Sequence, residues 1–237
     1  MTTSITSIVL NGADGRMGTR IAACAGEDPT TRIVGRFDRG GITDLMRQPS
    51  LPPSLANVGA VIDFSSDEGA RDAIALACRL RSGLLVGTTA LSAATRAQLA
   101  EAAATVPVMV CSNTSLGVAV ARRLAKEAAR LLGAAYDVDI IETHHTKKLD
   151  APSGTALALA ESVSAGGRAL SRERIHAIRA GDVIGDHIVQ FAGSGEILRI
   201  QHSATTRDLF ARGALRGAKW LAGKAPGSYS IEDTFAA

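Results

Sequence analysis

Gly12-Ala13-Asp14-Gly15-Arg16-Met17-Gly18 is the stretch on which the reading of this chain turns. It follows the apolar run Ile5 to Asn11, a candidate strand, and opens the segment Arg16 to Gly26, a candidate helix. A G-x-x-G-x-x-G run at such a junction meets three steric demands together: a tight turn, close approach of backbone to a pyrophosphate, and close packing of helix on strand. The helix then points its free N–H groups and positive dipole end at the phosphates. Gly12, Ala13, Asp14, Gly15, Arg16 and Met17 are therefore candidate cofactor-binding residues. The spacing departs from the plain G-x-G-x-x-G, so the surrounding pattern has to support it.

That pattern is an alternation. Arg32 to Phe37, Ala60 to Phe64, Gly83 to Gly87 and Pro107 to Cys111 read as further strands, and Asp67 to Arg81 and Ser92 to Ala104 as helices, the last opened by a Ser N-cap. Short strands alternating with helices specify an α/β fold with a Rossmann-like parallel sheet. At the end of the second strand, twenty residues after Gly18, stands Asp38. A carboxylate there can accept from the adenine ribose hydroxyls, whereas Arg39, with Arg16 or Arg36, could hold a 2′-phosphate, so NADH and NADPH both remain open. Ligands of open α/β sheets sit at the carboxyl ends of strands, which adds Gly87, Thr88, Thr89, Cys111, Ser112, Asn113 and Thr114 to the cofactor candidates. Cys111 reads as a small core residue, because no base accompanies it in sequence.

Leu116 to Leu132 reads as a long helix leading out of this lobe. Beyond it Asp137 to Thr143, Arg174 to Ala180, His187 to Phe191 and Ile197 to His202 read as strands with fewer helices between them, a second lobe of mixed α+β type. Thr205 to Leu221 returns to helical composition and is expected to pack back on the first lobe. The expected domains are thus 1–115 with 207–237, binding a dinucleotide, and 116–206, binding substrate and forming the oligomer.

Composition narrows the function classes. With 46% hydrophobic and 21% charged residues in 237, the chain has the apolar content to fold as a soluble globular protein. Aromatics make up only 3%, too few for a surface that stacks bases, and the 26 basic residues are scattered rather than clustered, so nucleic acid is not an expected partner. No basic and apolar leader opens the sequence and no run reaches membrane-spanning length, so neither export nor a membrane is expected. Cys24, Cys78 and Cys111 show no metal-ligand spacing and are odd in number, which points to a reducing, cytoplasmic setting.

The densest chemistry lies in Glu142-Thr143-His144-His145-Thr146-Lys147-Lys148-Leu149-Asp150-Ala151-Pro152-Ser153-Gly154-Thr155-Ala156. Two His and two Lys within five residues make a cationic site, and the helix start at Ser153-Gly154-Thr155 makes a backbone anion receptor beside it. The pair suits a small substrate carrying two carboxylates. Successive residues of an extended chain face opposite ways, so His144 and His145 should do different work, one at the reacting atom and one at a carboxylate. Adjacent His side chains diverge and no third ligand lies at metal spacing, so no metal is assigned.

The run E-x-H-H-x-x-K-x-D-A-P-S-G-T-A, complete from Glu142 to Ala156, resembles that of the 4-hydroxy-tetrahydrodipicolinate reductase (dihydrodipicolinate reductase) family. Gly12 to Gly18, Gly87-Thr88-Thr89, Ser112-Asn113, Ser115-Leu116-Gly117-Val118, Gly185-Asp186-His187, His202, Arg207, Phe210 and Gly213 carry the resemblance along nearly the whole chain. It implies a nucleotide lobe completed by the C-terminal segment, a homotetramer built through the central lobe, and NADPH- or NADH-dependent reduction of (2S,4S)-4-hydroxy-2,3,4,5-tetrahydrodipicolinate with loss of water. It also implies that His144 is the catalytic proton donor or acceptor, that Lys148 is the second acid, and that His145, Ser153, Gly154 and Thr155 bind substrate carboxylates. Ser65-Ser66-Asp67-Glu68 replaces the family's Thr-x-Pro-Glu, Thr114 replaces a frequent aromatic, and Asp186 a frequent Glu. A nicotinamide-dependent dehydrogenase of another small dicarboxylate or amino acid, or a non-catalytic nucleotide sensor, would share the first lobe; His144 and Lys148 argue against the sensor.

Overall fold

The computed structural model describes residues 4–235. They form two compact units, one of residues 4–114 with 208–235 and one of residues 115–207. The chain first lays down β1 (Thr6–Asn11), α1 (Arg16–Glu27), β2 (Thr31–Phe37), α2 (Gly41–Met46), β3 (Ala60–Asp63), α3 (Asp67–Leu80), β4 (Gly83–Val86), α4 (Ala93–Ala102) and β5 (Pro107–Val110). The second unit follows as α5 (Leu116–Leu132), β6 (Asp137–His144), α6 (Gly154–Ala165), β7 (Ile175–Arg179), β8 (Asp186–Gly193) and β9 (Glu196–Ser203). The chain then returns to the first unit with α7 (Asp208–Leu221) and β10 (Gly227–Tyr229).

The first unit is a six-stranded, all-parallel sheet in the order β10-β5-β4-β3-β1-β2. Every residue of β3 and β4 is buried, as a parallel strand covered on both faces requires. Consecutive side chains of a strand point to opposite faces, and Leu84 and Leu85 show which helices cover each. Leu84 packs in the cluster that includes Ala73 and Ala77 of α3 and Leu99 of α4, whereas Leu85 meets α7 at Gly217. The segment expected to pack back on the first lobe is α7, and it lies against α1, β3, β4 and β5. From β1 the chain steps to β2 on one side and to β3 on the other, so the strand order reverses at β1/β3. The crevice of a doubly wound sheet opens at the carboxyl ends of such a pair.

In the second unit a mixed sheet runs β7-β6-β8-β9, with β6 parallel to β7 and antiparallel to β8, and β8 antiparallel to β9. α5 packs on α6 and β9, and α6 on β6 and β8. β6 and β8 alternate buried and part-exposed residues, so one face of the sheet is covered. β9 is largely exposed, and Ile178, Ile197 and Leu198 stand among the exposed large apolar residues.

Four helices start with the same chemistry. The hydroxyls of Ser66, Ser92, Ser115 and Ser153 accept from the N–H of Gly69, Thr95, Val118 and Ala156, each satisfying a donor that the first turn leaves open. Two elements escape the sequence patterns. α2 has six residues and β10 three, too short for a period of 3.6 or 2 to register.

Leu84 is fully buried at the centre of the first sheet. Leu84→Ala should cost about 2–5 kcal/mol, read as a lower urea midpoint with an unchanged slope. A shift of less than about 1 kcal/mol would contradict this packing.

Candidate active site

The glycine-rich turn leaves β1 where the sheet order reverses. Gly12 has φ +75°, and a Cβ on it would lie 2.4 Å from the Phe64 carbonyl oxygen at the end of β3. A Cβ on Gly18 would lie 2.1 Å from the Gly12 carbonyl oxygen, so α1 is seated against the turn at a distance only glycine permits. Gly15, the N-cap of α1, offers no side-chain cap, and the first turn carries no acidic residue. That helix end has N–H donors to spend on an anion. Beside it opens a cleft of about 610 Å³ lined by Gly12, Asp14, Gly15, Asp38 and Arg39 among others. This is the size of a cofactor pocket.

Asp38 is held in place by backbone. Its carboxylate accepts from Arg39 N at 2.9 Å and from Asp14 N at 3.0 Å, and these two bonds keep its carboxyl below the usual range. Ala13 is buried, Arg16 is exposed and Met17 half-buried.

The other predicted strand ends are knitted into a node that the sequence did not reveal. Asp63, fully buried at the end of β3, accepts from Asn11 Nδ2 at 2.7 Å, from Thr88 Oγ1 at 2.6 Å and from Ser65 Oγ. Burial pushes its carboxyl up, and the three donors oppose that. Thr88 also accepts from Ser65 N at 2.8 Å, so its hydroxyl serves the scaffold. Gly87 is buried and Thr89 exposed. Cys111 is buried with its thiol donating to the Asn113 carbonyl, in keeping with a core residue, and Thr114 donates to the Phe210 carbonyl at 2.7 Å. Ser112 is exposed and Asn113 half-buried.

In the second unit the inward face of the sheet changes character along its length. Val138 and Ile140 of β6 pair with Phe191 and Val189 of β8 and are apolar; the next inward residues, Glu142 and His144 on β6 and His187 on β8, are polar and still buried. Glu142 has no exposed surface. Its carboxylate accepts from Arg179 Nη1 at 2.9 Å and Nη2 at 3.0 Å, from Ser153 N at 3.1 Å, and from His144 Nδ1. Burial alone would raise its carboxyl, but the bonds from Arg179, His144 and Ser153 outweigh it and the net direction is down. Since a carboxylate only accepts, Nδ1 of His144 carries the proton and Nε2 is the ring atom left for other work. A Cβ on Gly185 would sit 3.0 Å from that Nε2.

Ser153 caps α6 and its hydroxyl also meets His187 Nε2 at 3.0 Å. The His187 and His144 rings stand edge to face at 5.1 Å. Burial, then the charge of His144, lowers the His187 pKa to about 4; Glu142, His202 and Lys148 also act on it, which marks them as one electrostatic neighbourhood. His202, opposite His187 in the β8/β9 register, pairs with Ser115 at 3.3 Å and is lowered mainly by burial. Lys148 Nζ donates to both Asp150 oxygens, at 2.7 and 2.8 Å, and lowers the Asp150 carboxyl. His145 is half-buried, its Nδ1 without a hydrogen-bond partner; Gly154 is exposed and Thr155 half-buried. Among the described residues no group of three or more His, Cys, Asp and Glu could hold a metal ion, and no helix is long and apolar enough to cross a membrane.

The sequence profile of the dihydrodipicolinate reductase N-terminus matches residues 6–114, and that of the C-terminus residues 117–235. The chain belongs to the dihydrodipicolinate reductase family. It is 43% identical to the 4-hydroxy-tetrahydrodipicolinate reductase of Stenotrophomonas maltophilia (strain K279a), over 95% of this chain and 96% of the relative. The same identity holds for the reductase of Xanthomonas campestris pv. campestris (strain B100), over 98% and 99%. Among solved structures, the dipicolinate-bound dihydrodipicolinate reductase from Paenisporosarcina sp. TG-14 superposes with a TM-score of 0.79 at 21% identity, covering 97% of this chain and 99% of that one. The C. glutamicum DAP dehydrogenase in complex with DAP follows at 0.57 and 12%, covering 98% and 94%. At these identities both share the fold. Membership of the dihydrodipicolinate reductase family makes the protein an oxidoreductase.

Glu142 and His187 stand in the sequence motifs with no role that the sequence assigns, and Arg179 and Asp63 carry no motif signal at all. An acidic residue at an inward position of an alternating strand was the available signal for Glu142, because such a residue must find donors.

His187 takes up its proton near pH 4 when folded and near 6.5 when unfolded. Its contribution to stability is therefore complete above 6.5 and is lost as pH falls toward 4. The urea midpoint of the wild type should fall more steeply across this window than that of His187→Gln. Parallel profiles would show that the ring is not buried neutral.

Proposed function

We propose that this protein catalyses the NAD(P)H-dependent reduction of (2S,4S)-4-hydroxy-2,3,4,5-tetrahydrodipicolinate to 2,3,4,5-tetrahydrodipicolinate, a step of lysine and diaminopimelate biosynthesis. The observation that carries it is the complete Glu142 to Ala156 run folded around a buried carboxylate–His144 pair, in a chain 43% identical to reductases of that name along nearly its whole length. The glycine turn and the cleft beside it fit a dinucleotide: close backbone, an uncapped helix start and a fixed Asp38. Gly12 to Met17 would hold the pyrophosphate, Asp38 and Arg39 the adenosine end, and Gly87 to Thr89 with Cys111 to Thr114 the nicotinamide end. The bound cofactor supplies the hydride.

The balance is one hydride and one proton in, one water out. His144, its Nδ1 committed to Glu142, presents Nε2 to the reacting centre, takes up the ring proton that is lost as the hydroxyl departs, and returns it when the hydride arrives, so it adds no proton to the balance. Lys148, held by Asp150, serves as the second acid at the departing hydroxyl. His145, Ser153, Gly154 and Thr155 receive the two carboxylates, Ser153 by shaping the start of α6 since its hydroxyl is already engaged.

The reading extends to assembly and setting: a homotetramer in the cytoplasm. The family resemblance supports it, as do the exposed Ile178, Ile197 and Leu198 on the second sheet. A sedimentation mass of four chains is expected, and a monomer mass would overturn the assembly.

The test of function is oxidation of NADPH and NADH by absorbance, with substrate generated in place from pyruvate and aspartate semialdehyde. Substrate-dependent oxidation is expected, with the two rates ranking the cofactors; none from folded, cofactor-binding protein would refute the activity. His144→Gln and Lys148→Met should each lower kcat by about 10²–10⁴ while NADPH affinity stays within about twofold.

A further inference from the structure

Five residues of the second unit form one chain of contacts: His144 to Glu142, Glu142 to Arg179, Arg179 to the Asp150 main chain, and the Asp150 side chain to Lys148. Its centre is Arg179, the last residue of β7, paired in register with His144 on β6. The guanidinium uses both terminal nitrogens twice. Nη1 donates to Glu142 Oε2 at 2.9 Å and to the Ile178 carbonyl at 2.7 Å; Nη2 donates to Glu142 Oε1 at 3.0 Å and to the Asp150 carbonyl at 2.6 Å.

We propose that Arg179 is a positioning residue of the reductase, fixing His144 through Glu142 and Lys148 through Asp150 so that the two acids keep one mutual placement. The proposal rests on the proposed function, in which these two groups deliver protons. The planar fork matters because it aims four bonds from two separate nitrogens, two of them side by side at the carboxylate, whereas an ammonium has three N–H groups diverging from one atom. Glu142 is the arm to His144. Its Oε2 sets the tautomer, and its Oε1 holds Ser153 N, so the carboxylate receptor at the start of α6 is tied to the same group. Asp150 is the arm to Lys148, its carbonyl on Arg179 and both carboxylate oxygens on the ammonium. Arg179 is one-fifth exposed and Glu142 not at all, so the pair is shielded enough for its geometry to persist in water.

The experiment compares the full-length wild type with Arg179→Lys, Glu142→Gln, the double variant and His144→Gln, measuring kcat, KM for substrate and NADPH affinity. Histidine labelled with ¹⁵N reports the His144 tautomer. Each single variant should lose about 10–100-fold in kcat, with NADPH affinity within about twofold, and the double variant should fall no further than the worse single. In Glu142→Gln the His144 signals should change from the Nδ1–H tautomer to a mixture. Wild-type kcat in Arg179→Lys, or losses that multiply in the double variant, would overturn the proposal. Should Glu142→Gln not fold, Arg179→Lys decides alone, because it leaves a cation beside the buried carboxylate. An active His144→Gln would instead sink the assignment of the acid itself, whereas an inactive one alongside a fully active Arg179→Lys would sink only the positioning role.

Discussion

A carboxylate sealed from water has to be surrounded by donors, and the second unit is arranged around satisfying the one on Glu142. Four donors from three places meet it: two from Arg179 at the end of β7, one from the backbone at the start of α6, and one from His144 two residues along its own strand. Each sits where it does because of a regular element. The parallel β6/β7 register carries Arg179 alongside, the strand period puts His144 on the same face, and the Ser153 cap fixes where α6 begins. The apolar packing of Val138, Ile140, Val189 and Phe191 at the other end of that face anchors the sheet on which the polar end is built.

The first unit solves a similar problem on a smaller scale. Asp63 is buried where three strands end, and its donors come from the end of β1, the segment after β3 and the turn after β4. One carboxylate thereby braces the glycine turn against the neighbouring strand end. The cleft beside them is walled by the glycine turn and by Ile42 and Thr43 of α2 and Glu68, Gly69 and Asp72 of α3.

The fold was largely legible in the sequence. Alternating short apolar runs and helical segments predicted β1 to β5, α1, α3 and α4 to within a few residues, and the change of pattern after Leu132 marked the mixed second sheet. α2 and β10 were illegible because neither spans enough residues to display a period. Of the candidate site, the glycine turn and the His144 to Lys148 loop could be read because their chemistry is contiguous along the chain. Arg179 and His187 lie 37 and 34 residues from the partners they hold, Glu142 and Ser153, and only strand pairing brings them there. Thr88 and Ser153 show a complementary gap: their residue types suggested ligand contacts, whereas neighbours within the protein already occupy their hydroxyls.

Asp38 spends its carboxylate on the backbone N–H groups of Asp14 and Arg39. The residue proposed to meet the adenosine end of the cofactor is therefore also a fastener of the glycine turn. On the proposed cofactor placement, exchanging Asp38 for a neutral or basic residue would alter the adenosine contact and loosen the turn in the same stroke. Arg39 fastens Asp38 through its main-chain N–H, and its side chain adds only the attraction of its charge. An exchange of the Arg39 side chain leaves both hydrogen bonds of that fastening in place, and an exchange of Asp38 removes them.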